Sequence, residues 1–343
     1  MMRRGTGTTT DARAAWWRRV ATLLGASSLA IGVSACSTNA TAEEHLGIFV
    51  GFNQEERLRQ IEEDLGRPID VVVTMADSRS VEAMNSSIYG QFAAPDAYLP
   101  GLSERLDVVV SIPLAFGPGG IPLEPDGRAE VQTMLEETAS GGHDNDFRLV
   151  AEYLVTAGYE DATIRLGHEF DGDWAPYSAR GNNEAYIAAF RHVHDVMTAV
   201  SPEFQFDWAS MVPHFLEYGP DAYPGDDVVD VIGIDAYWRG AEPISDAEWT
   251  NRFEPVLRAH LEFAQLHGKP VSYPEWGRSF ADHPRFVELM HEWFSQLPTT
   301  GAGSLAYQAY FNEVGLTDDE FYPYDLDKLP NVKSRYIDLF GAQ

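Results

Sequence analysis

The chain has 343 residues, 44% of them hydrophobic and 22% charged, which excludes a disordered or fibrous protein and leaves room for one large barrel or two ordinary domains. Its formal charge is −29, and only three lysines occur, Lys269, Lys328 and Lys333. Such a chain repels polyanions, so nucleic acid and anionic lipid headgroups are excluded as partners, and a neutral or cationic ligand is expected.

The first 36 residues hold five arginines against one aspartate and lead into VATLLGASSLAIGVSAC, a run too short and too rich in Ser, Thr and Gly to span a bilayer. The run ends at Cys36, the only cysteine. Val33-Ser34-Ala35-Cys36 resembles a bacterial lipobox, which implies cleavage, lipidation of Cys36 and an extracytoplasmic protein anchored to the membrane by that lipid alone. Ordinary secretion after cleavage near Ala35 is the alternative. Residues 37–44 read as a short polar tether, and 45–343 as one continuous domain that no disulfide can hold together.

Eight apolar, β-branched runs follow in order: 46–52, 69–75, 106–116, 162–168, 204–210, 228–238, 270–276 and 304–311. Helix-period segments separate them, as in NEAYIAAFRHVHDVMTAV, where Ile187, Phe190, Val193, Met197 and Val200 recur every three or four residues. Eight β–α alternations in about 300 residues predict an α/β fold, a single (β/α)8 TIM barrel. An open doubly wound sheet would show a glycine-rich loop after its first strand, and GIFVGFNQEE has none.

In a (β/α)8 barrel the chemistry sits where the strands end. Glu169 and Glu275 end the fourth and seventh runs, which face each other across the mouth. Two opposed carboxylates suit glycosidic bond hydrolysis, one protonating the leaving oxygen while the other attacks the anomeric carbon or activates water. The aromatics Trp174, Tyr177, Trp208, Tyr237, Trp238, Trp276, Tyr310 and Phe311 lie at or just beyond strand ends. Flat rings there suit the C–H faces of pyranoses. A metal site built on His168, Glu169, Asp171 and Asp173 fits poorly: the zinc-hydrolase pattern needs a second His at position 172, which is Gly. No cofactor and no metal are expected. A lipid-anchored saccharide-binding protein without catalysis is the rival reading.

RLGHEFDGDWAPY resembles the acid/base motif of glycoside hydrolase family 26, and KPVSYPEWG is similar to that family's nucleophile strand. YIAAFRHVHDVM with QFDWAS, and YPGDDVVDVIGIDAYW, look like its next helix, fifth strand and sixth strand, in the right order from about residue 160 to 315. The resemblance implies a retaining double displacement with Glu169 as acid/base and Glu275 as nucleophile. It also implies that Tyr237 orients Glu275, that His168 bonds the sugar or the carboxylates, and that Trp174 is a sugar platform. Arg165 is expected to stabilise a carboxylate, and Trp208, Trp238, Trp276 and Phe311 to contact substrate. The implied partner is a β-linked polysaccharide, with β-1,4-mannan first and β-1,3-xylan or mixed-linkage β-glucan as alternatives, acted on by a monomer. Departures from the family lie in the turn Asp171-Gly172-Asp173, in PLAFGPGG and in Tyr310-Phe311-Asn312, all where substrate would be touched.

Overall fold

The computed structural model describes residues 45–117, 125–279, 281–313 and 324–342. The lipobox at Val33–Cys36 and the tether 37–44 lie outside them. No helix of the described residues is long and apolar enough to cross a membrane.

The eight apolar runs form eight parallel strands: β1 (Leu46–Phe49), β2 (Val71–Met75), β3 (Asp107–Ile112), β4 (Thr163–Leu166), β5 (Gln205–Met211), β6 (Val231–Trp238), β7 (Val271–Arg278) and β8 (Leu305–Phe311). They pair in chain order, and β8 closes on β1 from Leu46 against Gln308 to Phe49 against Phe311. The fold is a (β/α)8 barrel. Eight long helices of the described residues surround it: α1 (Glu55–Leu65), α2 (Val81–Phe92), α3 (Pro125–Ala139), α4 (Asp144–Thr156), α5 (Asn183–Thr198), α6 (Glu254–Leu266), α7 (Arg285–Phe294) and α8 (Pro330–Phe340). Two of them, α3 and α4, share the β3–β4 crossover, whereas β5 to β6 has only short turns.

Local signals set the helix ends. Ser80 caps α2 by accepting from the Ala83 N–H, and α1 stops at Gly66, whose φ of 66° is the left-handed value glycine adopts without strain. Helix α5 buries Tyr186, Ala189, Phe190, Val193 and Met197, a stripe shifted by one position at its start from the predicted Ile187 register. Tyr186 wins the inward place because its hydroxyl donates to the carbonyls of Leu166 and Gly167 at the end of β4.

The barrel interior has two characters. On the β1–β3 and β8 side it is apolar, a cluster of Phe49, Val71, Val73, Val109, Ala309 and Phe311. On the β4–β7 side the buried residues are Arg165, Asp207, Asp235, Ser272 and Glu275. Gly233 makes room for them, since a Cβ there would lie 2.5 Å from Asp207 Oδ1. Burying charge without partners is costly, so this polar half exists only because its members bond one another.

Candidate active site

Strand β4 puts Arg165 inside the barrel and ends one residue later, at Leu166. The chain then turns through Gly167, with φ 54°, where a Cβ would press to 2.7 Å from Leu114 Cδ1. Glu169 follows with φ 52°, a left-handed conformation that costs a non-glycine residue roughly 1–2 kcal/mol. The surroundings hold it there: its N–H donates to the Ala209 carbonyl of β5 at 2.9 Å, and its carbonyl accepts from the Gly172 N–H at 2.8 Å. Further along, Ser178 Oγ donates to the Gly172 carbonyl and Arg180 Nε to the Asp171 carbonyl. The Asp171 carboxylate is buried, and its Oδ2 accepts from the Met211 N–H at 3.3 Å. Asp171 is therefore folded under the site while Asp173 stays exposed, and burial pushes the Asp171 pKa up to about 7.

Glu275 comes from the other side, on β7. Its Oε1 accepts from Arg165 Nη1 at 2.8 Å and its Oε2 from the Tyr237 hydroxyl at 2.9 Å. The same guanidinium donates to Asp235 Oδ2 at 2.7 Å and to Ser111 Oγ at 2.9 Å. Behind it, Asp207 accepts hydrogen bonds from Ser272 Oγ, at 2.6 Å, and from the Tyr307 hydroxyl. Glu169, Asp235 and Glu275 each offer one carboxylate oxygen, and these lie within 4.8 Å of one another. They form the one such group of three potential metal ligands among the described residues, and it does not include His168, Asp171 or Asp173. Arg165, bonded to two of the three, supplies compensating positive charge from within the chain.

The two glutamates are driven apart electrostatically. Burial and then the charge of Glu275 push the Glu169 pKa up to about 8, against the weaker pull of Arg239 and Arg165. Burial alone would raise Glu275 too, but the Arg165 charge and the hydrogen bonds from Arg165 and Tyr237 hold it below its ordinary value. Asp235 moves the other way: burial raises it well above the usual aspartate range, and its share of Arg165 does not offset that. Burial, helped by Arg165, lowers His168 to about 4, so the imidazole is neutral at pH 7. One protonated and one ionised glutamate, an oxygen of each within 4.8 Å, give the pair the chemistry to donate a proton and to attack as a carboxylate.

Arg165, His168, Glu169, Tyr237 and Glu275 thus converge. Trp174 stands at the rim, 37% exposed, its ring lying over Gly172, where an added Cβ would come within 2.5 Å of it. Trp238 is half-buried and lines a pocket of about 480 Å³ together with Met211, Asp235, Tyr237 and Arg239. Phe311 is nearly buried, stacked on Phe49 and edge-on to Tyr237, so it floors the cleft. Two expected substrate contacts are corrected. Trp208 is fully buried on the outer face of β5, against Phe170, Tyr223 and Phe263 of α6. Trp276 is equally buried, against Phe294 of α7 and Phe340 of α8. The reason is strand alternation: Asp207 and Glu275 point inward, so their successors point outward into the helix layer. Tyr310 joins that layer beside Tyr336.

The residue patterns missed Arg239, Asp207 and Ser111. Arg239 is exposed at the end of β6, its Nε donating to the Tyr324 hydroxyl at 2.9 Å and its guanidinium 5.2 Å from the Tyr237 ring centroid. Its position two residues after Tyr237, just past a strand end, was the available signal. Asp207, a charged residue in the middle of an apolar strand, was a second.

Comparison with known proteins adds to this geometry. Residues 160–267 match glycosyl hydrolase family 26. Endoglucanase H of Acetivibrio thermocellus is 33% identical over 128 residues, 33% of this chain and 13% of that protein. Mannan endo-1,4-beta-mannosidase of Bifidobacterium adolescentis is 25% identical over 212 residues, 54% of this chain and 20% of that protein. The chain thus spans a fifth or less of the length of these curated relatives. Among solved structures, the catalytic domain of a Bacillus sp. JAMB-750 endo-beta-1,4-mannanase superposes with a TM-score of 0.61 at 16% identity, covering 89% of this chain and 90% of the other. A modular mannanase from Cellulomonas fimi gives 0.57 at 15% identity, covering 90% and 77%. At these identities the superpositions establish the shared barrel.

Proposed function

We propose, from the match of residues 160–267 to glycosyl hydrolase family 26, that the chain hydrolyses a β-linked polysaccharide with retention of anomeric configuration. The observation that carries this reading is the pair Glu169 and Glu275, with oxygens within 4.8 Å and pKa values pushed in opposite directions. That spacing is closer to the short carboxyl separation of retaining enzymes, about 5–5.5 Å, than to the roughly 6.5–9.5 Å of inverting ones.

In the first step Glu275, kept ionised by Arg165 and Tyr237, attacks the anomeric carbon while Glu169 gives its proton to the leaving oxygen. A glycosyl ester forms on Glu275 and the glycosidic bond breaks. The ester carries no charge, so the repulsion that raises the Glu169 pKa falls away, and its carboxylate then takes a proton from the water that attacks the ester. Glu275 leaves as a carboxylate, and the proton is back on Glu169. The neutral His168 and the exposed Trp174 would bind and orient the sugar.

β-1,4-Mannan is the leading substrate, supported by the mannan-directed relative and structural neighbours. A β-glucan is the second reading, favoured by the 33% identity to an endoglucanase. The test is reducing-sugar release from mannan, xylan and β-glucan by the wild type, Glu169→Ala and Glu275→Ala, with product configuration followed by NMR. Each variant should stay folded and lose turnover, with azide restoring a β-glycosyl azide product in Glu169→Ala. Oligosaccharide binding with no cleavage of any member would replace the hydrolase by a binding protein. We also propose extracytoplasmic placement through a lipid on Cys36, which metabolic labelling with palmitate and a Cys36→Ala variant test.

A further inference from the structure

The polar half of the barrel interior carries an acid that the reaction does not use. Asp207 lies inside β5, fully buried. Its register partner on β4 is Arg165, whose own partner on β3 is Ser111, so Ser111, Arg165 and Asp207 form one row across three strands. Asp207 Oδ2 accepts from Ser272 Oγ of β7 at 2.6 Å and from the Tyr307 hydroxyl of β8. Its Oδ1 lies against Gly233 of β6, where a Cβ would come within 2.5 Å of it. Four neighbouring strands thus build a seat for one carboxyl group. Two hydroxyl donors and an adjacent guanidinium favour its ionised form. Burial raises the Asp207 pKa, but the Arg165 charge and both hydroxyl bonds draw it back, whereas Asp235 stands well above the usual aspartate range.

The proposed reaction removes a charge from this part of the barrel. While Glu275 is ionised it balances Arg165 at 2.8 Å. When it attacks, a bond forms between its oxygen and the anomeric carbon, the glycosidic bond breaks, the proton of Glu169 goes to the leaving oxygen, and Glu275 becomes an uncharged ester. The guanidinium stays where it was, with no exposure to solvent, and a buried cation without a counter-charge is strongly disfavoured. From this arrangement we propose that Asp207 is a positioning residue that acts through Arg165: its charge keeps the guanidinium compensated while Glu275 is a glycosyl ester, and so favours the covalent intermediate. Ser272 and Tyr307 hold it in that place. Protonation and esterification cancel the same charge on Glu275, so Asp207 raises the Glu275 pKa and favours the ester to the same extent, one pH unit corresponding to about tenfold in either equilibrium.

The role rests on the double-displacement reading of Glu275, and its test separates the two. Asp207→Asn keeps the shape and removes the charge, while Arg165, His168, Glu169, Asp235 and Tyr237, the other groups that face Glu275, stay in place. The acid limb of the kcat/KM profile should fall by about one pH unit, the order of magnitude for a unit charge beside the same guanidinium. Labelling of Glu275 by 2-deoxy-2-fluoro-β-glycosyl fluorides of the manno and gluco series, whose leaving group needs no acid, should slow up to about tenfold in mass spectra taken over time. Tyr307→Phe, which takes one donor from Asp207, should move both readouts the same way by less. If Asp207 only held Arg165 in place, its loss would loosen the guanidinium and the acid limb would rise. A raised or unmoved limb in a labelled, folded protein therefore overturns the proposal and leaves hydrolysis intact. Circular dichroism checks each fold, and Tyr307→Phe decides if Asp207→Asn does not fold. A parent that is neither active nor labelled would overturn the hydrolase reading and this role with it.

Discussion

Arg165→Met is the sharpest perturbation of this site, because one guanidinium serves Glu275 at 2.8 Å and Asp235 at 2.7 Å with no exposure to solvent. Methionine fills much of the space but leaves both carboxyls, and Asp207 behind them, without a cation. Removing one partner of a buried ion pair costs about 3–5 kcal/mol when the other stays charged. The acids need not stay charged, however. At about 1.4 kcal/mol per pKa unit, a 3 kcal/mol penalty is relieved by a rise of roughly two units in the Glu275 pKa. A rise that carries the folded pKa above the unfolded one retains stability below the unfolded value and loses it as pH climbs through the folded value. The deficit of the variant should therefore grow from acid to neutral pH. Urea unfolding near pH 5 and near pH 8 measures it, and the acid limb of the kcat/KM profile should move up by roughly two pH units. Arg165→Lys, which keeps the charge but cannot span both acids, should fall between. A deficit under about 1 kcal/mol that does not change with pH, or an unmoved acid limb, would refute the electrostatic account of Glu275.

Three other outcomes follow from the same geometry. The kcat/KM profile of the wild type should be bell-shaped, with its alkaline limb near 8 as Glu169 loses its proton and its acid limb below the usual glutamate value because Arg165 holds Glu275 ionised; a profile still rising above pH 9 would remove Glu169 as the acid. Tyr237→Phe deletes one charge-assisted hydrogen bond to Glu275 and should lower kcat by roughly ten- to a hundredfold, raising the acid limb while thermal unfolding barely shifts. The paired variants Trp174→Ala and Trp208→Ala should separate binding from packing. The first should raise KM with little change in unfolding, and the second should destabilise by about 3–5 kcal/mol; equal effects on KM would return Trp208 to the cleft.

All eight strands were legible, because β-branched runs such as Val71-Val72-Val73 and Val108-Val109-Val110 stand between helix-period segments. So were the strand ends that bring Glu169 and Glu275 together. What a strand-end rule does not convey is which face a residue takes. Trp208, in the middle of β5, and Trp276, next to Glu275 on β7, each follow an inward-pointing acid and are turned toward the helices. Counting alternation from Asp207 and Glu275 would have placed both. β7 carries register shifts between Tyr273 and Trp276, so simple counting from the start of that strand fails. Arg239 and Asp207 were missed for a different reason. Their partners stand 85 and 100 positions away in the chain and meet them only once the barrel is closed: Arg239 meets Tyr324, and Asp207 meets Tyr307.

The two glutamates stand on unlike foundations. Glu275 belongs to the ladder of β7, clamped by two donors, whereas Glu169 lies three residues past the end of β4 in a left-handed turn. In the proposed reaction the group that would bond to carbon is thus fixed at its carboxylate, whereas the group that would trade a proton is fixed at its main chain, by Ala209 and Gly172. The nucleophile would keep one line of attack, and the acid would aim by its side-chain torsions alone, so the difference in anchorage beneath the two acids divides the labour of the reaction.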